Sequence, residues 1–315
     1  MISLEAIERA RVTIRGAAIR TPLIRLDAPE AVAEIWLKLE CLQPIGSFKI
    51  RGAANAIRQA PSAQTARGVV TASAGNMAQG VAWAARELGV PATIVVPEHA
   101  PATKLAAIAR LGGTIVKVPY ERWWQAIVES RYEGIAGLFV HPVQDALVQA
   151  GNGTIGLELA EELPGTDTVL VPWGGGGLFT GIASALAALS SETQVFAVEP
   201  ETGAPLAAAL AGSSAAVDYR PSFVDGAGGK SVLPSMWERA RPLLAGSYVV
   251  SLDETAAAVR LLAERARIVA EGAGALAVAA ALKHGAAGER IVCVVSGGNI
   301  DPGRLAEILA GGTPV

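Results

Sequence analysis

From residue 66 onward the chain alternates short runs rich in Val, Ile and Thr with longer runs of helical period, and few folds accept that rhythm. GVVTA leads into NMAQGVAWAARELG, ATIVVP into ATKLAAIARLGG, TIVKVP into RWWQAIVESRY, LFVHP into TIGLELAEEL, and DTVLVPW into GGGGLFTGIASALAALS. QVFAVEP and, near the end, IVCVVSGGN continue the strand series. Strand-helix-strand repetition predicts an α/β protein of open parallel sheets with right-handed crossovers and helices on the sheet faces. Composition agrees, since 51% of residues are hydrophobic and only 17% charged, which suits sheet buried on both faces. A length of 315 residues accommodates one large domain or two modest ones.

The remaining stretches are less regular. MISLEAIERARVTIRGA reads as a charged amphipathic helix, without the apolar core of a signal peptide. ETAAAVRLLAERARIVAEGAGALAVAAALKHG reads as two helices broken around Glu271 to Gly274, where glycine interrupts the pattern. Gly203 to Ser247 is rich in Gly, Pro and Ser and reads as a long excursion over the surface or toward a site. The net charge is −3 with no basic stripe, which argues against nucleic acid and anionic membranes as partners. Two cysteines, Cys41 and Cys293, cannot make a disulfide framework and suit a reducing compartment, so a cytoplasmic protein is expected.

Several pieces carry chemistry. Gly174 to Gly177, followed by Leu178, come after the strand VLVPW and open a helix. Four residues without Cβ atoms let backbone N–H groups wrap an anion such as a phosphate at the positive end of that helix. The spacing is not the GxGxxG dinucleotide fingerprint, and GAGGKS at 226 to 231 lacks the first glycine and the preceding strand of a Walker A loop. SAGNMAQG at 73 to 80 is a second strand-to-helix turn, able to hold a carboxylate through Ser73, Asn76 and main-chain N–H groups. SGGN at 296 to 299 closes the last strand in the same manner. His99, His141 and His284 are far apart with no metal-ligand spacing, and no GxSxG, CxxC or HExxH is present.

GSFKIRGA at 46 to 53 places Lys49 and Arg51 in the first turn of a helix, with Ser47 as its expected N-cap. Cations are disfavoured there by the helix dipole. For Lys49 the setting serves a purpose, because a positive helix end and partial burial lower the pKa of an amine that must act as nucleophile and base. An amine, a phosphate cradle and a carboxylate cradle together suggest pyridoxal phosphate held as a Schiff base.

GSFKIRGA, SAGNMAQG, AGNGTIGLE, VPWGGGGL, the VDG after Phe223, EGAGA and SGGNID stand in an order that resembles the threonine/serine dehydratase family, pyridoxal-phosphate enzymes of the tryptophan synthase β-like fold. The resemblance covers nearly the whole chain. It implies a small domain at 67–142 and a large cofactor-binding domain from 1–66 and 143–315, with the cofactor between them. By resemblance, Lys49 forms the Schiff base and moves the Cα proton, and Phe48 packs beside the ring. Asn76 bonds the ring hydroxyl, Gly174, Gly175, Gly176, Gly177 and Leu178 bind the phosphate, and Ser296 faces the pyridine nitrogen. Ser73, Ala74, Gly75, Asn76 and Met77 hold the substrate carboxylate. The implied reaction is β-elimination from a β-hydroxy-α-amino acid such as L-threonine or L-serine, giving a 2-keto acid and ammonia, in a homodimer.

The chain departs from the family at four places. Met77 stands where histidine is usual, Asn152 where glutamine is usual, and Val224 where alanine is usual, which keeps open a bulkier or altered substrate such as phenylserine or hydroxyaspartate. Pro205 stands where relatives with a cation site carry an acid after Glu199, so no metal is expected and Glu199 reads as structural. Ala74 occupies the position of the serine that racemases of the family use, and alanine relays no proton. The alternatives are an amino-acid racemase, another β-lyase or β-replacement enzyme of the same fold, or a ligand-binding relative without activity.

Overall fold

The computed structural model describes residues 1–285 and 288–314. The chain starts with helix α1 (Leu4–Thr13), a short antiparallel pair β1 (Leu23–Arg25) and β2 (Glu34–Lys38), and helices α2 (Lys49–Gln59) and α3 (Ser62–Thr65). Next come β3 (Val69–Ala72), α4 (Asn76–Glu87), β4 (Ala92–Pro97), α5 (Ala102–Arg110), β5 (Gly113–Val118), α6 (Tyr120–Glu129) and β6 (Leu138–Phe139). The long α7 (Ala146–Glu162) returns the chain to β7 (Thr168–Pro172), α8 (Gly177–Leu189), β8 (Gln194–Pro200) and the short α9 (Pro205–Leu210). After α10 (Pro234–Ala240) come β9 (Gly246–Val250), α11 (Leu252–Leu261), α12 (Gly272–His284), β10 (Arg290–Val294) and α13 (Pro302–Leu309).

Among the described residues the strands form two sheets. One has six strands in the order β1-β2-β10-β7-β8-β9, and the other has four in the order β5-β4-β3-β6. Apart from the β1/β2 pair every pairing is parallel, as the alternating pattern predicts. Both faces of the larger sheet are covered: along β10, Ile291 and Cys293 join the core beneath α12, whereas Val292 and Val294 join the core beneath α8. Side chains on a strand alternate between faces, so a continuous apolar run is what two covered faces require. The smaller sheet packs α2, α4 and α5 on one face and α6 on the other.

Three local expectations change. The break between α11 and α12 falls at Arg267 to Glu271, and Gly272 and Gly274 lie inside α12. Their role is close approach, because a Cβ on Gly272 would meet Phe223 at 3.0 Å and one on Gly274 would strike the backbone of Gly297. The excursion from Gly203 contains α9 and α10 and ends in a strand, β9, that pairs with β8. Finally, α2 starts at Lys49 with Phe48 as its N-cap, and no side chain caps it. Ser47 instead forms an isolated bridge with Gly297, and its hydroxyl is buried without a partner.

Candidate active site

The turns at Ser73, Gly174 and Ser296 follow the C-terminal ends of β3, β7 and β10, the region where ligands gather in open α/β sheets. Lys49 is the first residue of α2, pinned by the Phe48 N–H donating to the Ser296 carbonyl at 3.0 Å. Its amine donates to the Pro142 carbonyl at 3.1 Å and lies 5.0 Å from the centre of the Phe48 ring. Burial pushes the amine down to about 8, against the opposing pull of the Glu271 carboxylate. Lys49 is therefore poised to lose its proton near neutral pH, the condition for a nucleophilic amine.

The glycine loop fits an anion. Gly174 is half-buried and Gly175 exposed, so the loop opens outward, and Gly176 caps α8 at φ +89° with no side chain covering the helix end. The N–H groups of the first turn have no side-chain cap, and the helix dipole at this end favours negative charge. Glycine is required by space as well: a Cβ on Gly175 would lie 2.5 Å from Val143, and one on Gly176 would lie 2.5 Å from the Trp173 ring. Val143 belongs to a turn held by His141, whose Nδ1 accepts from the N–H groups of Val143 and Gln144 at 3.0 and 2.9 Å. Burial, then the charge of Lys49, pushes His141 down to about 4, so it stays neutral and acts as a brace.

The second cradle is the start of α4. Ser73 Oγ accepts from the Gly75 N–H at 3.2 Å, and Gly75 is an N-cap without a side-chain cap, leaving the first-turn donors free for a carboxylate. Ser73, Ala74, Gly75 and Asn76 are half-buried around this opening. Met77 differs: its side chain is 2% exposed and sits in the core with Ala53, Val81, Ala84 and Ala85. Only its backbone can serve the cradle, so it does not line the pocket with a methyl group.

Two site residues had no role assigned from sequence. Asn76 donates to Glu271 at 2.7 Å, and Asn299 donates to Asn76 at 2.8 Å and to the Ile45 carbonyl at 2.9 Å. Burial and Asp225 lift Glu271 to about 7, against the Asn76 hydrogen bond. The glycines that flank these residues, Gly272 and Gly274 after Glu271 and Gly297 and Gly298 before Asn299, were the available signal, since each leaves room for a neighbouring side chain or backbone that a Cβ would strike. Ser296 is buried at the end of β10, in the same shell.

Glu199 is buried and holds α9: its two oxygens accept from the N–H groups of Leu206 and Ala207 at 2.8 Å, and Ser247 donates at 3.1 Å. Among the described residues no group of three or more His, Cys, Asp or Glu side chains could hold a metal ion. A cavity of about 530 Å³ beside Arg67, Tyr132 and Phe139 lies at the outer edge of the smaller sheet and shares no residue with the cleft.

The buried amine and the two uncapped turns sit in a fold of the tryptophan synthase β-like type, which is that of pyridoxal-phosphate enzymes. The residues present fit the cofactor: the glycine cradle suits its phosphate and Lys49 its aldehyde. The chain belongs to the pyridoxal-phosphate dependent enzyme family, whose model matches residues 14–297. It is 40% identical to the L-threonine ammonia-lyase of Thermotoga maritima over 98% of this chain and 78% of that one. It is 37% identical to a catabolic L-threonine dehydratase of Staphylococcus aureus over 99% of this chain and 93% of that one. Maize serine racemase superposes with a TM-score of 0.88 at 31% identity, covering 98% of this chain and 97% of that one. Among the described residues no helix is long and apolar enough to cross a membrane.

Proposed function

We propose that this enzyme is an ammonia-lyase that removes the β-hydroxyl of a small β-hydroxy-α-amino acid, with L-threonine or L-serine as substrate, and releases a 2-keto acid and ammonia. The observation that carries the reading is the buried Lys49 amine, facing the Pro142 carbonyl between the two cradles. The bound cofactor supplies an electron sink for the charge left when the Cα proton departs. The chain supplies the rest. The α4 turn at Ser73 to Met77 would orient the carboxylate, Gly174 to Leu178 would hold the phosphate, and Phe48 would flank the ring. Asn76 would lie toward the ring hydroxyl, Ser296 would lie toward the pyridine nitrogen, and Lys49 would accept the Cα proton. A hydroxyl at Ser296 leaves the ring less electron-withdrawing than a carboxylate would, which favours elimination. Ala74 carries no hydroxyl to deliver a proton to the opposite face, which speaks against racemisation.

Residues 67–142 then act as a small domain closing on the large one formed by 1–66 and 143–315, in a cytoplasmic homodimer. Light scattering on the purified protein checks the dimer. Incubation with L-threonine, L-serine, phenylserine and hydroxyaspartate should release ammonia and a keto acid from at least one. Silence across that panel, or recovery of racemised substrate alone, would sink the proposal.

A further inference from the structure

The amine and the phosphate cradle sit on different helices, α2 and α8, that touch a common third, α7. The contacts are made through backbone: a Cβ on Gly151 would strike the Arg51 carbonyl, and one on Gly153 would lie 2.9 Å from the Gly181 carbonyl. Between those two glycines stands one side chain, Asn152, with no exposed surface. Its Nδ2 donates to the carbonyl of Gly177, the last glycine of the cradle, at 3.2 Å. Its Oδ1 faces the other way: it is buried without a partner, 2.9 Å from where a Cβ of Gly52 would stand, three residues after Lys49. A buried amide oxygen with no donor is destabilising, so a hydrophobic residue would pack more favourably there unless the amide serves the site.

We propose that Asn152 is a positioning residue that sets the distance between the Lys49 amine and the phosphate cradle. Its amide spans the seam, with one end on α2 at Gly52 and the other on the first residue of α8. The span is fixed because Gly151, Gly153 and Gly52 leave no slack for the helices to slide. The Gly177 carbonyl also accepts within α8, so loss of the Nδ2 donor removes the side-chain tie that holds this first turn against α7 and lets the turn shift as a unit, while Lys49 keeps its own anchors at Pro142 and Phe48.

The inference rests on the pyridoxal-phosphate reading, and its test separates the two. The probes are pyridoxal 5′-phosphate and pyridoxal, which share an aldehyde and differ by the phosphate. Both are titrated by absorbance into cofactor-free wild-type, Asn152→Asp and Asn152→Ala protein. Asp keeps the shape and donates nothing when ionised, and Ala, which buries no charge and has no donor in any protonation state, decides if the Asp variant keeps its proton or fails to fold. The preference for the phosphorylated form should fall roughly tenfold in both variants, with pyridoxal affinity unchanged. An unchanged preference, or equal weakening of both ligands, overturns the role of Asn152. If neither aldehyde gives a Lys49-dependent visible band in the wild type, the cofactor reading fails. Inorganic phosphate binding to wild-type and variant protein then tests Asn152 alone, with equal affinities overturning its role.

Discussion

Lys49 and Arg51 stand two residues apart on α2, and their surroundings are opposites. Arg51 is 1% exposed and fully paired: its Nε and Nη2 bond the Glu40 carboxylate at 2.8 Å each, and Nη1 and Nη2 bond Glu158 at 2.6 and 2.9 Å. Thr154 takes the remaining Nη1 hydrogen, the Ile19 carbonyl shares an Nη2 hydrogen, and Lys38 adds a second cation on Glu158 at 2.8 Å. Burial works against the ionised form of Glu40, yet Arg51 holds its carboxyl below the usual range. Lys49 has a single carbonyl partner and a nearby carboxyl, Glu271, whose hydrogen bond comes from an uncharged amide. A buried charge left so lightly satisfied shifts its pKa and becomes reactive, whereas a buried charge with every donor used becomes rigid. One turn of helix thus carries both the chemistry and the anchor that keeps it in place.

Substitution at the two positions should separate these roles. Lys49→Ala should remove the visible band of the lysine-bound cofactor and lower turnover by roughly a thousandfold or more, while leaving the urea midpoint of the cofactor-free protein at or above wild type. Arg51→Met should do the reverse in kind. It leaves Glu40 and Glu158 short of a partner in the core and should cost about 3–5 kcal/mol of stability by urea unfolding. Equal stability losses at both positions would break the contrast.

Smaller changes sharpen it. Gly176→Ala forces a left-handed residue and pushes a methyl against the Trp173 ring, which should cost about 1–3 kcal/mol and loosen cofactor binding, seen as faster cofactor release on dilution. The pH dependence tests Glu271. Its folded pKa, about 7, lies above the ordinary carboxyl value, so the folded state holds the extra proton between about 4.5 and 7 and loses stability as pH rises through that window. In the cofactor-free protein Glu271→Gln removes that loss. The stability of the variant relative to wild type should rise across the window by at most about 1.4 kcal/mol per pH unit, and a flat difference would mean that Glu271 ionises normally.

Much of the fold was legible because the strands of the two sheet centres carry continuous apolar runs bounded by turn residues. β1, β2 and β9 were not read as strands. β1 has three residues and β9 is a half-exposed edge, so neither carries enough pattern to be told from loop. Met77 was read both in a helical run and in the turn motif, and the direction of its side chain was not legible: with Val81, Ala84 and Ala85 it makes the apolar stripe of α4 facing the core. The acidic partners of Arg51 were not legible, because they lie 11 residues before and 107 residues after it and no local pattern joins them.

The sequence by itself determined the α/β architecture, the amine and the two uncapped turns, because periodicity, glycine and helix-start chemistry are local properties of the chain. Only the tertiary structure decided which buried charges are neutralised and which stay reactive. That depends on groups far apart in sequence, such as Glu40 and Glu158 around Arg51, Asn76 on Glu271, and Pro142 on Lys49, and electrostatic energy in a buried site is set by distance in space.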